Sequence, residues 1–138
     1  MNSADVNALN TKTLAALSTA NVALLGTDVI AGLGTAQITA LTTAQLAKLD
    51  TTQATALTST QIALLNSKQI DALGSANIAT FSTAEIASIN SAAIKGLVSE
   101  DVMALTDAQL DAFTTTQIPA MDAGLVDAVI AAYADGTV

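Results

Sequence analysis

The chain has 138 residues, of which 51% are hydrophobic, but it contains only two Phe, one Tyr and no Trp. This composition supports a single domain with a thin, aliphatic core. Twelve acidic residues stand against four basic ones, all of them Lys, and the net charge of −8 argues against nucleic acid or an anionic membrane surface as a partner. Cysteine and histidine are absent, which excludes disulfides, thiolate nucleophiles and histidine bases.

An eight-residue unit repeats sixteen times from residue 1 to residue 128, without an insertion or a deletion. We call each copy an octad, number the octads 1 to 16 along the chain, and number the positions within each octad as slots one to eight. Self-similarity at a fixed period is the signature of a repeat architecture. We therefore interpret residues 1–128 as one solenoid and residues 129–138 as its C-terminal cap.

Two slots carry large apolar side chains and predict the core. Slot one is large and apolar in all sixteen octads, and slot six is Val, Leu or Ile in every octad except the one that has Ala54. On a helix, slot six and the next slot one share a face because they are three residues apart. In one continuous helix this apolar stripe would wind around the helix axis, because eight residues exceed two full turns by about 80°. The chain must therefore be broken once per octad.

Slots two and three carry the residue types that end and begin helices. Slot two is Asn, Gly, Asp, Ser or Thr in fifteen octads, with Val98 as the exception, and slot three is Ser or Thr in all octads except those with Asp107 and Ala123. We interpret slot two as a left-handed helix stop and slot three as the N-cap of a helix of about six residues, which runs from slot four to the next slot one. A competing frame places the cap at slot two, with the slot-five Gln as its partner in a capping box.

The predicted fold class is all-α: a solenoid of very short helices that are stable only when they stack on one another. Ala at slots four, seven and eight favours helix over strand. A β-solenoid with Thr-rich turns is the alternative, and it would explain the Ile and Val at slot six. Small residues at slot eight, including Gly32 and Gly96, indicate that neighbouring segments approach closely. The number of octads in one superhelical turn does not follow from the sequence.

The residues after Met121 leave the repeat pattern, and Pro119 departs from it just before. From Leu125 onward the sequence predicts one longer amphipathic helix that ends at Gly136, with Tyr133 as a lid over the last layer. Solenoids use atypical terminal units of this kind to cover their last apolar layer. No comparable cap precedes the first octads, so we expect end-to-end self-association through an open first layer.

The sequence predicts no catalytic, cofactor-binding or metal-binding residues, and we expect a protein that is not an enzyme. The acidic pairs Asp107 with Asp111 and Glu100 with Asp101 lack the spacing of an EF-hand or of the GGxGxD calcium repeat. We interpret them as a solvated acidic surface. The GLGTAQ segment at residues 32–37 has only two of the three glycines of a dinucleotide loop. No run of 18 apolar residues exists that would predict insertion into a membrane.

Two ladders of polar side chains remain as functional features. Hydroxyls recur at slot three, and an outward Thr ladder would suit polysaccharide or ice, but our preferred interpretation uses these hydroxyls as helix caps. Gln recurs at slot five and predicts hydrogen bonds between successive turns, a structural role. The slot-five glutamines are Gln37, Gln45, Gln53, Gln61, Gln69, Gln109 and Gln117.

The units LTTAQLAK, LGTAQITA and LTSTQIAL resemble the Ala/Thr/Gln-rich octapeptide repeats of large bacterial secreted or surface proteins of the adhesin-like type. The resemblance covers residues 1–128 and implies an extracellular spacer or matrix role without a catalytic site. The first ten residues lack the basic and apolar regions of a cleavable signal peptide, and the absence of Cys fits a cytosolic protein equally well. We expect a structural scaffold, with a module that binds polysaccharide or ice as the alternative.

Overall fold

A computed structural model describes residues 3–135 of the chain, and this part is all-α. It contains fourteen α-helices and no β-strand, so the predicted α-solenoid is confirmed and the β-solenoid alternative is not supported. The helices are Ser3–Asn7 (α1), Thr11–Ala15 (α2), Thr19–Val22 (α3), Thr27–Ala31 (α4), Thr35–Ala40 (α5), Thr43–Leu46 (α6), Thr51–Thr55 (α7), Ser59–Ile62 (α8), Ser67–Leu73 (α9), Ser75–Ile78 (α10), Thr83–Ser88 (α11), Ser99–Met103 (α12), Asp107–Leu110 (α13) and Ala123–Asp135 (α14). Octads 12 and 15 form 3₁₀ turns instead, at Ile94–Gly96 and Ile118–Ala120.

The short α-helices begin at slot three, and the residue at slot two is the N-cap. Asp50, which precedes α7, has an extended backbone (φ −82°, ψ 172°), and its carboxylate accepts the N–H of Gln53 at 2.8 Å. The interpretation of slot two as a left-handed stop and slot three as the N-cap is therefore wrong, and the competing frame is correct. Ser and Thr at slot three are the first helical residues, where their hydroxyls are not needed as caps.

Most helices end without a left-handed residue. The N–H of slot one donates to the carbonyl of slot six, three residues earlier, as in Leu25 to Val22 at 3.1 Å and Leu33 to Ile30 at 3.2 Å. This 3₁₀-type bond tightens the last turn and lets the chain leave the helix in an extended conformation. Gly74 differs: with a φ of +77° it is the one glycine in the described range that uses the left-handed half of φ space.

The side chains of slots one and six fill the interior, as predicted. Slot six is buried in every octad from Val6 to Leu110, and slot one is buried or half-buried from Leu9 to Met121. Ala54 occupies the same buried position as the larger slot-six residues. Met1, which the sequence also places in slot one, lies outside the described residues.

Each short helix packs against the helix three octads away. The contacting pairs include α1 with α4, α2 with α5, α3 with α6, α4 with α7 and α6 with α9. One turn of the solenoid therefore consists of three octads, or 24 residues, and the three helices of a turn form the three sides of a rod. This answers the question that the sequence left open.

The predicted close approach at slot eight is confirmed at Gly96, which is buried. A Cβ added at Gly96 would lie 1.9 Å from the carbonyl oxygen of Ser67, three octads earlier. This distance is far below a van der Waals contact, so the turn at Ile94–Gly96 approaches α9 as closely as a backbone without a side chain allows. Gly32, the other glycine predicted to mark a close approach, is half-buried at the end of α4.

The helix α14 begins two residues before the predicted start at Leu125, because the carboxylate of Asp122 accepts the Leu125 N–H at 2.8 Å. It packs against α12 and α13, and so occupies the place of two further octads. Tyr133 lies near its end and donates its hydroxyl hydrogen to the carboxylate of Asp111. Gly136, the predicted end of this helix, lies outside the described residues.

Candidate functional site

The acidic pairs from the sequence do not converge on a site. Glu100 is exposed while its neighbour Asp101 is buried, and Asp107 and Asp111 are exposed at the two ends of α13. Within residues 3–135, no three His, Cys, Asp or Glu side chains come together in an arrangement that would hold a metal ion. In the same range, no helix has both the length and the apolar character that a membrane span requires.

The slot-five amides form the most regular polar arrangement of the molecule. We call this set the slot-five ladder: it consists of Gln37, Gln45, Gln53, Gln61, Gln69, Asn77, Gln109 and Gln117. All eight side chains are buried, with exposures of 1 to 7%. A buried amide without hydrogen-bond partners destabilises the folded state. The hydrogen bonds of each amide therefore determine the role of the ladder.

Gln61 illustrates the geometry of the ladder. Its Oε1 accepts the N–H of Thr58 at 2.9 Å, while the Thr58 hydroxyl accepts the Gln61 N–H at 3.3 Å, which completes a capping box at the start of α8. Its Nε2 donates to the carbonyls of Ile30 at 2.9 Å and Leu33 at 2.9 Å, in the turn below. One side chain therefore fixes the start of its own helix and joins that helix to the previous turn.

The same two functions recur at the other glutamines of the ladder, while Asn77 forms only the bond to the turn below. Gln45 contacts the carbonyls of Leu14 and Leu17, each at 2.9 Å, and Gln117 contacts those of Ile86 and Ile89 at 2.8 and 2.7 Å. The partners stand 31 and 28 residues earlier in both cases, which is the end of a helix and the following corner in the turn below. Every buried side-chain nitrogen or oxygen in the described part of the chain has a hydrogen-bond partner. The predicted bonds between turns are thus present, and the ladder is a structural device.

The ladder is interrupted for one complete turn. Octads 11, 12 and 13 have Glu85, Ala93 and Asp101 at slot five. The two carboxylates still accept the N–H of the N-cap residue, Ser82 to Glu85 at 2.7 Å and Val98 to Asp101 at 2.8 Å. An ionised carboxylate has no hydrogen to donate, so neither can bond to the carbonyls of the turn below. Octads 11 and 13 thus keep the capping function of slot five and lose its connection to the preceding turn, whereas Ala93 in octad 12 can perform neither function.

Asp101 is the most buried carboxylate of this segment, with an exposure of 2%. Burial raises the pKa of its carboxyl above the ordinary value of 3.8; the hydrogen bond from Val98 opposes this effect, and the charges of Asp71 and Glu100 add to it. Between the ordinary and the raised pKa, the folded protein binds more protons than the unfolded one. The contribution of Asp101 to stability therefore increases as the pH falls through this window and decreases as the pH rises.

Replacing Asp101 by Asn is expected to stabilise the protein at pH 7 by about 1–2 kcal/mol, because the amide needs no proton and supplies the missing donor. Asn77 is the precedent: its Nδ2 donates to the carbonyl of Leu49, 28 residues earlier, at 2.9 Å. The measurement is urea unfolding followed by circular dichroism from pH 7 to pH 4, over which the advantage of D101N over the wild type should shrink. Asp127→Asn removes an exposed carboxylate and is the control. A D101N protein less stable than the wild type at pH 7 would contradict this account.

The hydroxyls of slot three are on the surface. Thr27, Thr51 and Thr83 are exposed at the first residue of their helices, and the caps are formed by slot two instead. The preferred interpretation, in which capping uses up these hydroxyls, is therefore wrong. Thr27, Thr51, Thr52, Thr55 and Thr80 line a groove across the stacked helices α4, α7 and α10.

Part of the chain matches a known repeat family. Residues 1–35 and residues 30–67 match a family model that is described as the ALTTAQ repeat. The six letters of that description occur in the chain as residues 40–45, which run from slot eight of octad 5 to the slot-five Gln45. No curated protein and no solved structure matches the chain. The protein is thus a repeat protein with short helices.

Proposed function

We propose that this protein is a structural repeat module: a stiff spacer at the cell surface or outside the cell, without catalytic activity. The observation that carries the proposal is the use of the repeat's characteristic residues. Slots one and six fill the core, slot two caps the helices, and the slot-five Gln both caps and joins successive turns. The construction of a rod thus explains the residue types that characterise the repeat.

Two further observations support a role without catalysis. The chain lacks His and Cys, so the usual general bases and thiol nucleophiles are absent. Among the side chains that the structure describes, the carboxylates are spread over the surface or, like Asp101, hydrogen-bonded to the backbone. The extracellular or surface location is proposed from the resemblance to secreted and surface repeat tracts, and protease treatment of intact host cells would test it: a surface protein is degraded, and an internal one is protected.

The spacer function predicts that length can be changed by whole turns. Duplicating residues 41–64 adds three octads with Gln45, Gln53 and Gln61 in slot five, and every contact between turns is then repeated in register. We expect small-angle X-ray scattering to give a longer rod of the same cross-section, with the same helical content per residue. A duplication that lowers the helical content or leaves the longest dimension unchanged would contradict the proposal.

We also propose that the rods associate end to end through the first turn. Leu9 and Leu17 are only half-buried in that turn, and Leu24, in the third octad of the same turn, is 83% exposed. An apolar side chain exposed to this extent gains free energy when a second surface covers it. Light scattering over a concentration series, together with electron microscopy, should detect particles that grow in length. A monomer at all concentrations would remove this part of the proposal and leave the spacer function intact.

A binding module for polysaccharide or ice is the second candidate, and the exposed slot-three hydroxyls favour it. The groove lined by Thr27, Thr51 and Thr52 presents hydroxyls from two stacked helices. Thermal hysteresis and glycan-array binding would test this candidate. The double variant Thr51→Val, Thr52→Val keeps the shape of the groove and should abolish the signal, while Thr35→Val, on another side of the rod, should preserve it. A wild-type protein that is inactive in both assays would exclude the candidate.

A further inference from the structure

An apolar cleft lies at the C-terminal end of the rod, between α14 and octads 14 and 15. Its volume is about 380 Å³, within the range of about 300–1,000 Å³ that is usual for sites that bind small molecules. Leu110, Phe113, Ile118, Met121 and Ile130 contribute most of the apolar wall. α14 packs on α12 and α13, and Ile118 of octad 15 stays exposed beside it.

The side chains at the cleft are more exposed than their place in the repeat predicts. Ile118 stands in slot six, which is buried in every octad from Val6 to Leu110, yet its exposure is 49%. Ile130, across the cleft on α14, has an exposure of 62%. Pro119 follows Ile118 and has no N–H to donate, so octad 15 forms a 3₁₀ turn in place of an α-helix. A core position of the solenoid thus remains open to solvent.

One polar pair lies in this apolar wall. The hydroxyl of Tyr133 donates to the Asp111 carboxylate. That hydrogen bond raises the pKa of the Tyr133 phenol to about 12, with smaller contributions from desolvation and from the charges of Asp111 and Asp107. The phenol therefore remains the donor at neutral pH, and the carboxylate carries a negative charge beside the cleft.

The net charge of the C-terminal part of the chain distinguishes between possible occupants of the cleft. From residue 95 to the end of the sequence there are seven carboxylates and one basic residue, Lys95. Two copies of this end would bring like charges together, and an anionic amphiphile would be repelled in the same way. An apolar body with a positive head complements both the wall of the cleft and the carboxylate of Asp111.

We propose that this cleft binds a small cationic amphiphile, an aliphatic or aromatic molecule with a protonated amine, whose apolar part contacts Ile118 and Ile130 and whose amine contacts Asp111. This site is independent of the spacer function, because it does not involve the slot-five bonds between turns. Failure of either proposal leaves the other unaffected.

The single tyrosine of the chain reports on the site, since there is no Trp to obscure its fluorescence. The probes are octylammonium, octanol and octanoate, which share one tail and differ in head-group charge, titrated separately into the full chain at pH 7. We expect a saturable change in Tyr133 fluorescence with affinity in the order octylammonium, octanol, octanoate. Asp111→Asn should reduce the preference for octylammonium over octanol by about fivefold, the upper range for one surface ion pair.

Substitutions in the wall separate binding from folding. Ile130→Ser changes a mostly exposed side chain and should weaken binding of all three probes, with an unchanged circular dichroism spectrum. Leu24→Ser, at the other end of the rod, is the matched control and should bind like the wild type. The proposal is overturned by any of three results: no saturable binding, equal or tighter binding of octanoate, or a dimer in solution that Ile130→Ser dissociates, since the occupant would then be a second copy.

Discussion

Replacing Gln61 by Met is expected to destabilise the protein by about 3 kcal/mol or more, because each buried polar group left without a partner costs about 1–3 kcal/mol. Met retains most of the volume of Gln but can neither accept from Thr58 nor donate to Ile30 and Leu33. The variant loses the capping box of α8 and the bonds to the turn below together. Urea unfolding followed by circular dichroism at 222 nm measures the effect.

Asn21 provides the matched control for this substitution. It also stands in slot five, but in octad 3 its side chain is exposed and no turn of the described chain lies beneath it. Asn21→Ala should therefore change the free energy of unfolding by less than about 0.5 kcal/mol, as is usual for surface positions. If the two variants lose similar stability, the bonds between turns do not carry the role that we assign to them.

Gly96→Ala should have an effect of comparable size for a different reason. The new Cβ would lie 1.9 Å from the Ser67 carbonyl oxygen and 2.7 Å from its carbonyl carbon, and both atoms belong to the backbone. Since a backbone cannot rotate aside as a side chain does, the turn at Ile94–Gly96 must move away from α9. Overpacking of this kind costs about 3 kcal/mol, at the upper end of the usual range. The expected result is a lower melting temperature, because packing between octads 9 and 12 is lost.

Gly34→Ala tests whether this effect is specific to the close approach. A Cβ at Gly34 would have the Gln37 side-chain oxygen as its nearest neighbour, at 3.7 Å, and the φ of Gly34 is −74°. Alanine therefore fits there, and the loss should stay within about 1 kcal/mol, which reflects the poorer capping by Ala. Equal destabilisation by the two substitutions would argue against the contact between Gly96 and Ser67.

The fold class and the core could be predicted from the sequence because they depend on residue types at a fixed period. The frame of the helices could not be settled from slots two and three alone, because both slots contain cap-forming residues. Gly34 and Asn66 in slot two suit a left-handed helix stop as well as an N-cap. The slot-five Gln was the signal that distinguished the two frames, since the capping box requires its partner at N3, three residues after the cap.

The size of one turn could not be predicted from the sequence, because Gln occupies slot five in every octad from 5 to 9 and shows no period of 24 residues. The pairing between turns is visible only in the structure, where Gln37 donates to the carbonyls of Val6 and Leu9.

The cleft at the C-terminal end could be predicted only in part. Pro119 and the irregular octads after it indicated that the repeat rule is relaxed there, and Tyr133 was expected to be a lid. Which core residue remains uncovered depends on the direction that α14 takes across the last turn. That direction is set by its packing on α12 and α13, which no residue pattern within α14 itself specifies. The exposure of Ile118 follows from this packing and not from its own slot.

We assign to the buried slot-five amides the role of joining their helices to the turn below, at the corner between the octads four and three earlier. Nuclear Overhauser effects from the side-chain amide protons of Gln61, in a protein labelled with ¹⁵N and ¹³C, test this claim directly. We expect cross-peaks to protons of Ile30, Ala31 and Leu33, whose carbonyls lie 2.9, 3.2 and 2.9 Å from Nε2, and slow exchange of the amide protons with solvent. Cross-peaks confined to octad 8 and its sequence neighbours, with rapid exchange, would contradict the account.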